Sequence, residues 1–137
     1  MASYKSGKRR ILVVMGTRPE VIKLAPVIMA LKRRRGEIET VVCTTGQHRQ
    51  ILDQMLGVFD IKPDFDLNLM KPDQTLPGLL QSALRELNKV TDEVRPDMTV
   101  VQGDTLTATA AALSSYYARV PVAHVEAGLR SFNMRMP

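Results

Sequence analysis

The sequence predicts an α/β fold: a mainly parallel sheet sandwiched between two layers of helices. Three observations carry that expectation. Short apolar runs recur five times along the 137 residues. The stretches between them repeat apolar residues every three or four positions, the spacing of a one-sided helix. Glycine-rich or polar clusters follow the runs, so that the runs end in turns.

Ile11–Met15 is the first run and has the length of a buried strand, broken by Gly16 and Thr17. Pro19 suits the first turn of a helix, where its missing N–H is no loss, and Thr17 is placed to cap that helix. The helical segment extends to Arg35, with Val21, Leu24, Val27, Ile28 and Leu31 as its apolar stripe. Pro26 removes one rung of its ladder and is expected to bend it, and Gly36 stops it. Ile38–Thr44 is a second strand. Gln47–Leu56 is a helix with Ile51, Leu52 and Met55 inward and Gly57 at its end. Phe65–Leu69 alternates apolar and polar residues, as a short strand does. Thr75–Val94 is a long helix with Pro77 in its first turn and Leu76, Leu80, Ala83, Leu84, Leu87, Val90 and Val94 on its apolar face. Met98–Val101 is a fourth strand. Thr105–Ala118, rich in small residues, is a closely packed helix, and Pro121 leads into a fifth strand, Val122–Val125. Alternating strands and helices fold as a parallel sheet with right-handed crossovers, here in the Rossmann-like order 3-2-1-4-5. No internal repeat, low-complexity segment or linker divides the chain.

Composition excludes several classes. Apolar residues are 45% and charged residues 24%, the balance of a globular domain, and aromatic residues are only 4%, so the core is aliphatic. No apolar stretch has the length to span a bilayer, and no signal-peptide pattern is present. The single cysteine, Cys43, cannot form an internal disulfide and fits a reducing compartment. Net charge is +5, yet residues 1–35 hold ten Lys or Arg against one acid, so the basic character is N-terminal. A basic tail and a solvated helix end account for it. No aromatic reading surface or zinc-finger spacing points to nucleic acid, and neither nucleic-acid nor membrane binding is expected.

A parallel sheet gathers its chemistry beyond the C-terminal ends of its strands. Polar clusters fall at four such ends: Gly16–Glu20, Thr44–Gln50, Gly103–Thr105 and Glu126–Arg130. Gly16 permits a close approach, the amides at the following helix start favour an anion, and Arg18 offers a bidentate phosphate contact or pairs with Glu20. Lys23, one turn on, faces either cleft or water. Asp104 either caps the next helix or serves as an acid, a base or a sugar-hydroxyl partner. Glu126 leaves a buried strand, where partial burial can raise its pKa for acid–base work; the alternative is a salt bridge to Arg130. Gln47, His48, Arg49 and Gln50 can bind a nucleotide sugar or form an exposed helix start. There is no GxGxxG, Walker A, nucleophile elbow or metal-ligand spacing, and no cofactor or metal is expected.

Taken together, Met15–Glu20, Lys23–Pro26, Thr45–Arg49, Asp66–Met70, Gln102–Thr105 and His124–Arg130 resemble, in order, the motifs of the non-hydrolysing UDP-N-acetylglucosamine 2-epimerases. The resemblance covers nearly the whole chain. It implies the N-terminal half of a glycosyltransferase-B-type fold, with residues 1–10 a basic tail and 11–137 a Rossmann-like N-terminal domain. It also implies a reaction: interconversion of UDP-N-acetylglucosamine and UDP-N-acetylmannosamine by eliminating UDP to 2-acetamidoglucal and adding it back, without nicotinamide. Asp104, Glu126 and Lys23 match catalytic positions. Arg18, with Gly16, Thr17 and Arg130, matches substrate handling, and Gln47, Gln50 and Gln74 match a second, allosteric substrate site. A cytoplasmic homodimer serving cell-envelope polysaccharide biosynthesis goes with the resemblance.

Two departures stand beside it. Family chains are more than twice this length, and the Pro-Glu-Glu that continues the Gly128–Phe132 motif is met here only as far as Pro137. The second domain, which holds most uridine and diphosphate contacts, is outside this chain. The alternative is therefore a non-catalytic sugar-nucleotide- or partner-binding domain. Asp73 stands where regulated relatives commonly carry Arg, and a carboxylate there repels a diphosphate.

Overall fold

The computed structural model describes residues 7–46 and 49–135, with the side chains at 49–51 excepted. Among these residues five strands, β1 (Arg9–Met15), β2 (Ile38–Thr44), β3 (Phe65–Asp66), β4 (Met98–Gln102) and β5 (Val122–Val125), alternate with four helices. The helices are α1 (Arg18–Arg33), α2 (Arg49–Val58), α3 (Leu76–Val94) and α4 (Leu106–Tyr117). The strands form one sheet in the order β3-β2-β1-β4-β5, as the sequence predicts, and every pairing is parallel. Gln102 pairs with Val125, so the turns after β4 and β5 leave the sheet at the same edge.

Alternation along the central strands divides the core in two. Leu12, Val14, Cys43 and Val101 face α3 and α4, whereas Val13, Met15, Val42 and Val100 face α1 and α2. The result is a three-layer sandwich. α4 lies close to the sheet because its inner side is small: Ala108, Ala110, Ala111, Ser114 and Ser115 are buried. Its buried hydroxyls are satisfied locally, Ser115 Oγ donating to Thr99 Oγ1 at 2.8 Å and Ser114 Oγ to Asn88 Oδ1 at 2.7 Å. The Cys43 thiol is pushed up to about 12, chiefly by burial and then by the Asp66 charge, so it stays protonated and unreactive. Among the described residues no helix is long and apolar enough to cross a membrane.

The differences from the sequence reading have local causes. β1 begins at Arg9, since Arg9 and Arg10 pair with Ile38 and Glu39 of β2. α1 ends at Arg33, two residues short of Arg35, and runs through Pro26. α2 passes Gly57 and ends at Val58. The third strand stops at Asp66 because Asn68 turns left-handed, with φ 44°. The α3 stripe centres on Leu79, with Leu80 and Leu84 at its margin and Leu76 exposed. β4 takes in Gln102, and α4 starts at Leu106 with Thr105 as its cap.

Candidate active site

Two turns and one strand end build the site. The β1–α1 turn begins with Gly16, which packs against the β2–α2 turn and the first turn of α4. A Cβ on Gly16 would lie 2.2 Å from Thr45 Oγ1 and 2.3 Å from Thr107 Oγ1, which bond each other at 2.8 Å. Glycine is required there by close approach. Thr17 occupies the N-cap position of α1, but its hydroxyl is buried without a partner among the described residues. The cap is supplied by Glu20 instead. Its Oε2 accepts from the amides of Gly16 at 2.9 Å and Thr17 at 2.6 Å, and its Oε1 accepts from the Thr105 hydroxyl at 2.6 Å. The sequence reading offered an anion the amides of the helix start; these two lie just before it, in the turn and at the cap. They hold a carboxylate of the chain itself.

Glu126 follows β5 directly and sits at φ 64°, a left-handed conformation uncommon for any residue but glycine. Its Oε1 accepts from Lys23 Nζ on α1 and its Oε2 from Gln102 Nε2 at the end of β4. The side chain is 30% exposed, and Lys23 is 43% exposed. The upward push of partial burial on the Glu126 carboxyl is outweighed by its partners. The Lys23 hydrogen bond and charge, with a smaller contribution from Gln102, hold it below the usual carboxylate range. The alternative of a salt bridge to Arg130 is not what forms: Arg130 turns back to its own loop and donates to the carbonyls of Ala127 and Leu129, each at 2.7 Å.

Asp104 lies at the same sheet edge, exposed, and does not cap α4. Thr105 does, its Oγ1 accepting from the Ala108 amide at 3.0 Å. Gly103, at φ 71°, makes the turn, and its carbonyl accepts from Nε2 of His124 at 2.6 Å, which fixes the proton on that nitrogen. Arg18 is exposed on the first residue of α1, with Glu20 turned inward away from it. Gln74 Oε1 accepts from the Lys71 amide at 3.1 Å, beside Asp73 at φ 55°. Gln47 and His48 lie outside the described residues, as does the side chain of Gln50.

Residues 29–137 match the family model described as UDP-N-acetylglucosamine 2-epimerase. The chain belongs to the UDP-N-acetylglucosamine 2-epimerase family. It is 47% identical over 128 residues to the epimerase of that name from Neisseria meningitidis, covering 93% of this chain and 34% of that protein. With the Bacillus subtilis epimerase it shares 48% identity over 130 residues, 95% of this chain and 34% of that one. This epimerase-family chain thus spans about a third of the length of the curated relatives it matches. The crystal structure of the Neisseria meningitidis epimerase bound to UDP-GlcNAc superposes with a TM-score of 0.89 over 93% of this chain and 34% of that one. The Methanocaldococcus jannaschii epimerase in complex with UDP-GlcNAc and UDP gives 0.86 at 37% identity, over 93% and 35%. Acinetobacter baumannii MurG, at 15% identity and a TM-score of 0.64, shares the fold alone.

Two polar residues of this epimerase-family site are missed by reading the sequence for site residues. Glu20 enters there only as a possible Arg18 partner, yet it is fully buried. The signal was present: Thr17 followed three residues later by Glu20 is the spacing of a capping box, whose glutamate reaches back to the cap amide. Gln102, 5% exposed, carried no such signal, because its role depends on β4 and β5 being neighbours.

Proposed function

We propose that this chain is the N-terminal part of an enzyme that interconverts UDP-N-acetylglucosamine and UDP-N-acetylmannosamine. Glu126 carries the reading: a non-glycine residue held left-handed at a strand end, its carboxylate fixed by Lys23 and Gln102. Such a conformation costs free energy, persists only where the surroundings enforce it, and clusters at functional sites. The relatives' complexes with UDP-GlcNAc and UDP support the substrate class.

Elimination breaks the C2–H and C1–O bonds of the sugar. The proton passes to a carboxylate, the C2–H electron pair becomes the C1=C2 bond, and UDP departs with the C1–O pair, leaving 2-acetamidoglucal. Re-addition brings a proton to the other face of C2 and returns UDP to C1. No carbonyl carbon adjoins C2 to acidify its proton, so the rate comes from a placed base and placed positive charge. Glu126, ionised beside Lys23, enters as a proton acceptor, and Asp104 supplies the second carboxylate at the neighbouring strand end. Arg18 and Arg130 meet the diphosphate, above the turn made by Gly16 and Thr17. Gln47, Gln50 and Gln74 are assigned to a second substrate site, against which Asp73 weighs electrostatically. The N-terminal domain expected over residues 11–137 takes in Arg9 and Arg10 as well, since β1 starts there, with the basic tail before them and a second domain completing the cleft. The same reading makes the enzyme a cytoplasmic homodimer, or a partner of a complementary C-terminal domain, in cell-envelope polysaccharide biosynthesis.

The test uses the full-length protein in deuterated water with UDP-N-acetylglucosamine. The expected result is the C2 epimer carrying deuterium at C2. A folded full-length protein that binds the nucleotide sugar yet gives neither epimer nor exchange overturns the reading and leaves a binding module.

A further inference from the structure

The buried Glu20 carboxylate has no place in the reaction just described, and its three bonds join two separate turns. Oε2 holds the β1–α1 turn through the Gly16 and Thr17 amides, and Oε1 holds the β4–α4 turn through the Thr105 hydroxyl. Arg18 and Lys23 ride on the first of these elements, and Asp104 immediately precedes Thr105 on the second. We infer that Glu20 is a positioning residue: its bridge to Thr105 sets the distance between the cations of α1 and the carboxylate of Asp104. The inference rests on the epimerase reading and adds to it a residue that touches no substrate.

Physical reasons favour this role over simple helix capping. Capping alone is met by an exposed glutamate bonding its own N-terminal amide. Here the carboxylate is fully buried and one oxygen is spent on a residue 85 positions away. It also takes the Gly16 and Thr17 amides just ahead of α1, so those two donors do not face a diphosphate, and the turn they brace sets the direction of Arg18, the next residue. A rigid bridge of this kind matters because small displacements of reacting groups cost rate steeply.

The experiment measures kcat and KM per folded molecule of the full-length enzyme for Glu20→Gln, Thr105→Ala, Thr105→Ser and the Glu20→Gln/Thr105→Ala pair. Serine keeps both the α4 cap and the donor to Glu20; alanine removes both. Glu20→Gln and Thr105→Ala are expected to lower kcat by at least about tenfold, with KM held within about threefold. Thr105→Ser is expected to restore kcat, and the double variant to be no slower than the slower single one, since both cut the same bridge. If Glu20→Gln fails to fold, the two Thr105 variants decide. Folded variants with wild-type kcat, or a Thr105→Ser as slow as Thr105→Ala, overturn the role. Wild-type enzyme without turnover would instead strike the epimerase reading itself, and this role with it.

Discussion

Glu126 and Lys23 form an ion pair across 103 positions of sequence, from the end of β5 to the second turn of α1. The pair exists because β1 and β5 flank β4 on either side, which brings the helix after one strand over the end of the other. It couples the ionisation of a strand-end carboxylate to a helix-borne cation.

Replacing Glu126 by Gln keeps the side chain's size and its contact with Gln102 but removes the proton acceptor of the proposed reaction. The expected effect in the full-length enzyme is a fall in kcat of about 10²–10⁴, the usual worth of a placed acid or base. Lys23 is half in solvent and can be hydrated when its partner is neutral. The thermal unfolding curve should therefore move little, and steady-state kinetics beside a melting curve separate the two effects.

Lys23→Met tests the coupling through pH. The Lys23 ammonium holds the Glu126 carboxyl below its ordinary value, so the native protein binds that proton less tightly than the unfolded chain does. The stabilisation is present above the unfolded carboxyl pKa and is lost as pH falls through the lower, folded one. Removing the ammonium raises the folded value. The acidic limb of the kcat/KM profile should then shift to higher pH in Lys23→Met, while Lys23→Arg should leave it near the wild-type position. An unshifted limb in Lys23→Met would show that another group governs it.

Gly16→Ala probes the packing beneath the site. The added Cβ would press on the hydroxyls of Thr45 and Thr107, which are buried, β-branched and bonded to each other. Stiff side chains of that kind cannot swing aside. A loss of about 1–3 kcal/mol is expected, the range of an overpacked interior, read by denaturant titration. Gly128, with open space where a Cβ would stand, should tolerate alanine.

The sheet order was legible because each strand announces itself locally, as an apolar run ended by a polar cluster, and because β–α alternation leaves few topologies. The shared edge of Gly16, Asp104 and Glu126 followed from that order alone. What escaped depended on distances between elements. The Asp66 stop of β3 comes from Asn68 packing against Gly46, where a Cβ would sit 3.1 Å from the Asn68 Cα. The inward Leu79, in place of Leu80, reflects how α3 is rotated against α4, and helical periodicity gives a stripe without its exact rotation. Arg130, a neighbour in sequence, was the one salt-bridge partner offered for Glu126 beside an acid–base role, because the true partner Lys23 is a neighbour only in space.

Asp104 separates a structural from a chemical role most cleanly. If it capped α4, Asp104→Ala would cost about 0.5–2 kcal/mol of stability, as cap removal does. The structure gives that duty to Thr105, whose Oγ1 takes the Ala108 amide, and leaves Asp104 exposed at the sheet edge. An exposed residue outside the hydrogen-bonding framework changes stability by no more than about 0.5 kcal/mol when replaced. Asp104→Ala is therefore expected to melt like the wild type, whereas Thr105→Ala melts lower. Activity should run the other way in severity: Asp104→Asn, which keeps size and loses charge, should lower kcat in the full-length enzyme far more than it raises KM, if, as proposed, the carboxylate acts on the sugar as its bonds change and not on the bound ground state. Deuterium wash-in at C2 should fall in step with kcat. A normal wash-in rate in Asp104→Asn would remove Asp104 from the proton-transfer chemistry and leave Glu126 to carry it.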